Sequence, residues 1–197
     1  KKAVLLNPEY CGAHYNLGTA MRQLEKFEEA ATAYRQTIAV KPGYAEAHSN
    51  LGVTLQELGR LYASEESCRQ AIASKPDLAE AHCNLGNTLS ELGNYAEAEA
   101  CFMQAIALKP DLALAYYNMG LCLMENADLV GAIKSSVKAL KFEPELAAAY
   151  SNIGIALRGV VFREPNPDIQ EVMTLMLDHK TYVTPREISR AAISLLK

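Results

Sequence analysis

The chain has 197 residues, half of them hydrophobic, with a formal net charge of -4 and no tryptophan. That balance gives no polybasic surface, which argues against nucleic acid or anionic lipid as the main ligand. No apolar run is long enough to span a bilayer. Many of the hydrophobic residues are alanines, which suit close helix packing more than one large core.

Taken from the start, Lys1 to Tyr10 reads as the tail of a second helix, so the chain opens inside a repeating pattern. Five prolines, Pro8, Pro42, Pro76, Pro110 and Pro144, set its interval: each number exceeds the one before by 34. A strict period of this size means a stacked helical array rather than a domain with a single core. Four complete units follow, Cys11 to Tyr44, Ala45 to Leu78, Ala79 to Leu112 and Ala113 to Leu146. Within the second unit, Leu51, Leu55 and Leu58 share one face of a helix predicted from Ala45 to about Leu58. Gly59 ends it, as a glycine just past a helix end does. A second helix, about Tyr62 to Ser74, carries Cys68, Ala71 and Ile72 on one face, and Lys75-Pro76 closes it.

Small residues recur in register. Gly18, Gly52, Gly86, Gly120 and Gly154 follow the apolar residue of each first helix, and Ala30, Ser64, Ala98 and Ala132 stand early in each second helix. Minimal side chains at these places let two helix axes approach closely. Residues 147–159 form a fifth first helix. The rhythm then fails: Pro165 and Pro167 forbid a regular helix across 160–167, which reads as a linker. Residues 168–197 read as two capping or connecting helices. Ile169, Val172, Met173, Met176 and Leu177 form the stripe of the first, and Thr184-Pro185-Arg186-Glu187 caps the second.

The Leu-Gly pair, the small residues Ala98 and Ala105 with Phe102 between them, and the closing Pro110 resemble the tetratricopeptide repeat (TPR) family. The resemblance covers about four fifths of the chain. It implies an all-α fold, a right-handed superhelix of helix-turn-helix units, with the C-terminal helices as a capping hairpin. The usual first-helix tryptophan is replaced by His14, His48, His82, Tyr116 and Tyr150. In the family the first helices line a concave groove, and one column of this chain falls there: Asn16, Asn50, Asn84, Asn118 and Asn152. A carboxamide offers two donors and an acceptor, so such a column can hold the peptide groups of an extended ligand. It resembles the asparagine ladder in the TPR superhelix of O-linked N-acetylglucosamine transferases. Asparagine is also common there in ordinary repeats, where it caps or joins neighbours. Tyr15, Ser49, Cys83, Tyr117 and Ser151 should flank the column. Glu46 and Glu80 stand where the chaperone-binding carboxylate clamp carries lysine, so a neutral or basic segment fits better than a ligand carboxylate.

Two other residue sets look chemical and read as structural. His14, His48 and His82 recur once per unit, which puts them about 10 Å apart, a helix diameter. A zinc ion needs nitrogens about 2 Å away, so the histidines should instead fill an aromatic slot between paired helices. Cys11, Cys68, Cys83, Cys101 and Cys122 show no C-x-x-C spacing and read as small apolar residues in a reducing, cytoplasmic compartment. No phosphate loop, nucleophile elbow or metal motif is present, and neither cofactor nor catalysis is expected of this region. The expected function is a scaffold binding an extended peptide of a protein partner. The alternative is the substrate-recognition arm of a larger transferase. Self-association through the broken repeat at Lys1 to Tyr10 is a third expectation.

Overall fold

The Lys-Pro and Glu-Pro pairs stop helices for a steric reason. The proline ring crowds the residue before it and pushes that residue out of the helical region. Lys41, Lys75 and Glu143 accordingly have φ of −135°, −150° and −135° with ψ between 80° and 89°. Each still donates its N–H to the carbonyl four residues back, closing the last turn.

The computed structural model describes residues 11–159, and within them every regular element is α-helical. One compact unit, Lys1–Leu108, contains α1 (Cys11–Gln23), α2 (Phe27–Val40), α3 (Ala45–Glu57), α4 (Leu61–Ser74), α5 (Ala79–Glu91) and α6 (Tyr95–Leu108). A second, Lys109–Lys197, contains α7 (Ala113–Glu125), α8 (Leu129–Phe142) and α9 (Ala147–Gly159). The expectations for Lys1 to Tyr10, for the 160–167 linker and for the capping helices at 168–197 lie outside the described residues.

Each first helix turns into its second through one left-handed residue. Glu25, Gly59, Gly93 and Ala127 occupy this place with φ of 57°, 69°, 79° and 62°. In the α3–α4 turn, Gly59 N–H donates to Gln56 O at 2.8 Å and Arg60 N–H to Leu55 O at 2.8 Å. The same pair of bonds recurs in the other three turns. This is the Schellman arrangement, which satisfies carbonyls that the helix end leaves open. Glycine adopts it freely, whereas a side chain there costs roughly 1–2 kcal/mol.

In the first unit, the first helices α1, α3 and α5 stand beside one another, each packed on its own second helix, and α3 and α5 pack on the preceding second helix as well. The core at the α2–α3 junction shows the rule: Ala30, Ala31 and Tyr34 of α2 bury Leu51 and Leu55 of α3. Between paired helices the fit is tighter still. A methyl group placed on Gly18 would lie 2.7 Å from the Tyr34 ring, and one on Gly86 would lie 2.7 Å from Phe102. Gly52 faces Cys68 in the same way, and the small Ser64 is fully buried beside it. Ser64 Oγ donates to Gly52 O at 2.8 Å and also meets Thr88 Oγ1 of the next first helix at 2.9 Å. One hydroxyl thus fastens three helices.

The second unit repeats this logic on its own. Gly120 faces Ser136, and Ala132 is buried at 1% exposure. Ile133, Val137 and Leu140 of α8 pack with Ala149, Tyr150, Ile153, Ala156 and Leu157 of α9. Asp128 caps α8 by accepting the Gly131 N–H at 2.9 Å.

Because the turn position demands a left-handed residue, Glu25→Gly and Ala127→Gly should each stabilise the protein by roughly 0.5–1 kcal/mol, the relieved strain less glycine's unfolded-state entropy. Gly59→Ala should destabilise it by roughly 1–2 kcal/mol. Urea-unfolding midpoints check all three; unchanged midpoints would contradict the turn assignment.

Candidate functional site

Helical periodicity places Asn16, Asn50 and Asn84 at one register of α1, α3 and α5, the three first helices that adjoin one another. Asn16 is exposed, and Asn50 and Asn84 are half-buried. In the second unit Asn118 of α7 is half-buried, while Asn152 of α9 is only 7% exposed. The column is therefore not uniformly open.

Two of its members are tied down. Asn50 Nδ2–H donates to the Tyr15 hydroxyl at 2.9 Å, and Asn84 Nδ2–H donates to Ser49 Oγ at 3.0 Å. Both bonds span 35 residues, one repeat plus one, so each asparagine reaches the residue just before its equivalent in the preceding first helix. The joining role weighed for this residue type is present in the first unit. Each bond uses one N–H, leaving the carbonyl oxygen and the second N–H of the same amide outside it.

The flanking positions behave unequally. Ser49 and Cys83 are buried at 4% and 1% exposure, facing the neighbouring helices instead of lining an open surface. Tyr15 stays half-buried: its ring stacks on Tyr44 at 5.1 Å and tilts against Tyr34 at 5.9 Å. Burial raises the Tyr15 pKa above the ordinary phenol value, so its hydroxyl stays protonated and able to donate as well as accept. Lys41 lies 4.9 Å over the Tyr44 ring, and burial, with Glu46 nearby, raises the Tyr44 pKa too. Tyr44 and Lys41 were not among the expected site residues. Tyr44 does directly precede α3, which places it beside the first-helix face.

The acidic residues are partly neutralised. A backbone hydrogen bond in the first turn of α3 holds the Glu46 carboxyl below its ordinary range, aided by Lys75, whose Nζ lies 3.2 Å away. Glu80 is exposed at the same register of α5. In the second unit Tyr117 is half-buried and packs against the α8–α9 core.

The histidines divide. His14 is buried at 4% exposure, as are Tyr116 and Tyr150 at 7% and 1%. His48 and His82 are half-buried instead. Their Nε2–H groups donate to the Pro42 and Pro76 carbonyls at 2.8 and 2.9 Å. The reason is local: α3 and α5 have Tyr44 and Leu78 at their N-caps, with no capping side chain, and the imidazole fastens the preceding turn instead. None of the five cysteines forms a disulfide. Burial pushes the Cys68 thiol up to about 12 and the Cys101 thiol up to about 11, which keeps both from being thiolates at neutral pH.

If the Asn50–Tyr15 bond joins adjacent helices, Asn50→Ala and Tyr15→Phe should each cost roughly 0.5–1.5 kcal/mol of stability. A double-mutant cycle read by urea unfolding should then show that the two losses do not add. Strictly additive losses would rule the bond out as a stabilising tie.

Comparison with known proteins agrees with this geometry. Tetratricopeptide repeat models match residues 45–78 and 79–112, and a TPR repeat model matches residues 18–59. No curated protein sequence matches the chain. Among solved structures, MamA is similar with 24% identity and a TM-score of 0.70, over 88% of this chain and 94% of that one. YrrB, described as a TPR protein with an unusual peptide-binding site, is similar with 18% identity and a TM-score of 0.65, over 91% of each chain. An O-GlcNAc transferase mutant of Thermobaculum terrenum is similar with 28% identity and a TM-score of 0.58, over 68% of this chain and 26% of that one. Residues 18–112 are thus tetratricopeptide repeats, and the chain shares the fold of solved proteins built from such repeats.

Proposed function

We propose that the chain is a non-catalytic protein-binding scaffold that holds an extended peptide segment of a partner along its first helices. Asn16, Asn50, Asn84, Asn118 and Asn152 grip the ligand backbone, with Tyr15, Tyr117, Glu46 and Glu80 beside them. The observation that carries this reading is the fixed orientation of Asn50 and Asn84. Each amide is anchored by one N–H to the neighbouring helix, so little side-chain freedom is lost when the rest of it meets a ligand. Asn16 adds an exposed carboxamide at the same register. On the second unit Asn118 is half-buried, and Asn152, buried there, is the weaker candidate.

Charge shapes the expected ligand. Glu46 is partly answered by Lys75, so the face favours a neutral or mildly basic segment over a strongly cationic one. YrrB, with the same fold, is described as having a peptide-binding site, which is in keeping with peptide binding on these repeats. A cytoplasmic setting is in keeping with five cysteines that form no disulfide. No described helix is long and apolar enough to cross a membrane.

A second reading draws on the Thermobaculum terrenum O-GlcNAc transferase, 28% identical over the matched region. On this reading the repeats present protein substrates to a transferase domain of the same polypeptide. A catalytic domain in the full-length reading frame supports it; a frame without one leaves the scaffold alone.

Peptides selected on this chain from a displayed random library provide the probe. Asn50→Ala with Asn84→Ala should weaken the selected peptides by roughly 1–3 kcal/mol, two hydrogen bonds' worth. Circular dichroism should show the helices retained. Undiminished affinity in a folded double variant would leave the asparagines as inter-helix ties and sink their ligand role.

A further inference from the structure

The outer face of a second helix lies in solvent even where repeats stand on both sides of it. In α4, between the described helices of the first and third repeats, Tyr62, Glu66, Gln70 and Ala73 are exposed. The same four positions are exposed in α2 and in α6. Exposure there is a property of the repeat.

What the repeats place on that face changes once. At one register α2, α4 and α6 carry Thr32, Glu66 and Ala100; at the next, Gln36, Gln70 and Gln104; at the third, Ala39, Ala73 and Ala107. The fourth repeat puts lysine at all three, and Lys134, Lys138 and Lys141 of α8 are all exposed. The helix dipole favours a cation in the last turn, which accounts for Lys141 alone. Lys134 and Lys138 stand in mid-helix, where glutamine or alanine serves the helix as well or better. No acidic residue lies on α8.

The stripe ends in an aromatic anchor. Phe142 is 48% exposed, and its ring stacks on the buried Tyr116 of α7 with centroids 5.8 Å apart. Lys138 Nζ lies 5.7 Å over that same Tyr116 ring. Ring and cation are thus held in place in the free protein, so little side-chain freedom is left to lose on binding. Asp128 before α8 and Glu143 after it are both exposed and confine the positive charge to the helix. A patch of roughly 10 Å from Lys134 to Lys141, closed at both ends by carboxylates, suits a short acidic segment rather than a long polyanion or a membrane surface.

We propose that the outer face of α8 is a second interaction surface, carried by a second helix and not by the first helices that bear the asparagines. It takes an acidic amphipathic helix of a partner protein. Carboxylates at spacings of four and three residues, matching the lysines, lie along Lys134, Lys138 and Lys141. An apolar residue at the end of that stripe packs on Phe142.

The probe is a fluorescein-labelled helical peptide, stapled on its opposite face, with three glutamates at that spacing and leucine at the end of the stripe. Fluorescence anisotropy with the full chain should show saturable binding that weakens as salt is raised. Lys134→Glu with Lys138→Glu should lower the affinity at least about tenfold, since two exposed ion pairs are reversed. A peptide with lysines in place of its glutamates should bind that variant and not the parent, a result that misfolding cannot produce. Phe142→Ala should lower the affinity roughly three- to tenfold through lost apolar contact. Lys26→Glu with Arg35→Glu, the same change of charge on the first repeat, should leave it unaltered. The proposal is overturned if the peptide does not bind saturably, or if the Lys134→Glu, Lys138→Glu chain binds it like the parent. A peptide of equal composition with its glutamates spread around the helix overturns it too if it binds as tightly. So does cosedimentation of the chain with phosphatidylserine vesicles through the same lysines, because the face then belongs to a membrane.

Discussion

The contact between a first-helix glycine and the side chain opposite it on the second helix is the constraint from which the rest of each repeat follows. With hydrogen at Gly18 and Gly86, the rings of Tyr34 and Phe102 lie directly on the backbone. With smaller Cys68 and Ser136 in that place, the carbonyls of Ser64 and Ala132 come within 3.3 and 3.2 Å of a Cβ on Gly52 and Gly120. Either way the paired axes are drawn together, and the second helix then presents its small residues to the next first helix. In the first unit that fixes the neighbour closely enough for Asn50 to reach Tyr15 and Asn84 to reach Ser49. The hydrogen bonds depend on the packing, because each is worth only about 1 kcal/mol.

Polar groups on the first-helix face tie adjacent first helices together and keep further hydrogen-bonding capacity. An asparagine used only as a joint would need a single N–H; one used only for a ligand would be free to turn. Asn50 and Asn84 are anchored at one hydrogen and have an acceptor and a donor beyond it. The surrounding chemistry is similarly double. Tyr15 accepts from Asn50 while its ring stacks on Tyr44. Glu46 sits at the start of α3 and also meets Lys75. Because Asn50 and Asn84 already join helices, a substitution on this face should move stability, and its effect on the proposed recognition must be measured separately.

Much of the fold was legible because it is periodic. In the second unit the two helices read from the sequence, Ala45 to about Leu58 and about Tyr62 to Ser74, lie within a residue of α3 and α4, since pre-proline backbone and left-handed turn residues are local effects. Glu25 and Ala127 were harder to see: nothing in a glutamate or alanine announces a left-handed φ, and only their register with Gly59 and Gly93 does. The site was legible in part. The asparagine column was visible, but its bonds were not, because they join positions 35 residues apart and break the 34-residue register by one. Ser49 and Cys83 were expected beside the groove and are buried, Ser49 taking the bond from Asn84. The turn bonds of His48 and His82 to the Pro42 and Pro76 carbonyls were not visible either, because an imidazole in an aromatic register suggests packing alone.

The central claim is that close approach at the glycine governs the repeat, and Gly86→Ala tests it by sign. Helix propensity alone favours alanine by about 1 kcal/mol. A methyl group forced against the Phe102 ring should cost roughly 1–3 kcal/mol of overpacking. Denaturant unfolding of Gly86→Ala should therefore show a less stable protein, with part of the loss recovered when Phe102→Leu is added. A Gly86→Ala variant more stable than the parent would contradict the account.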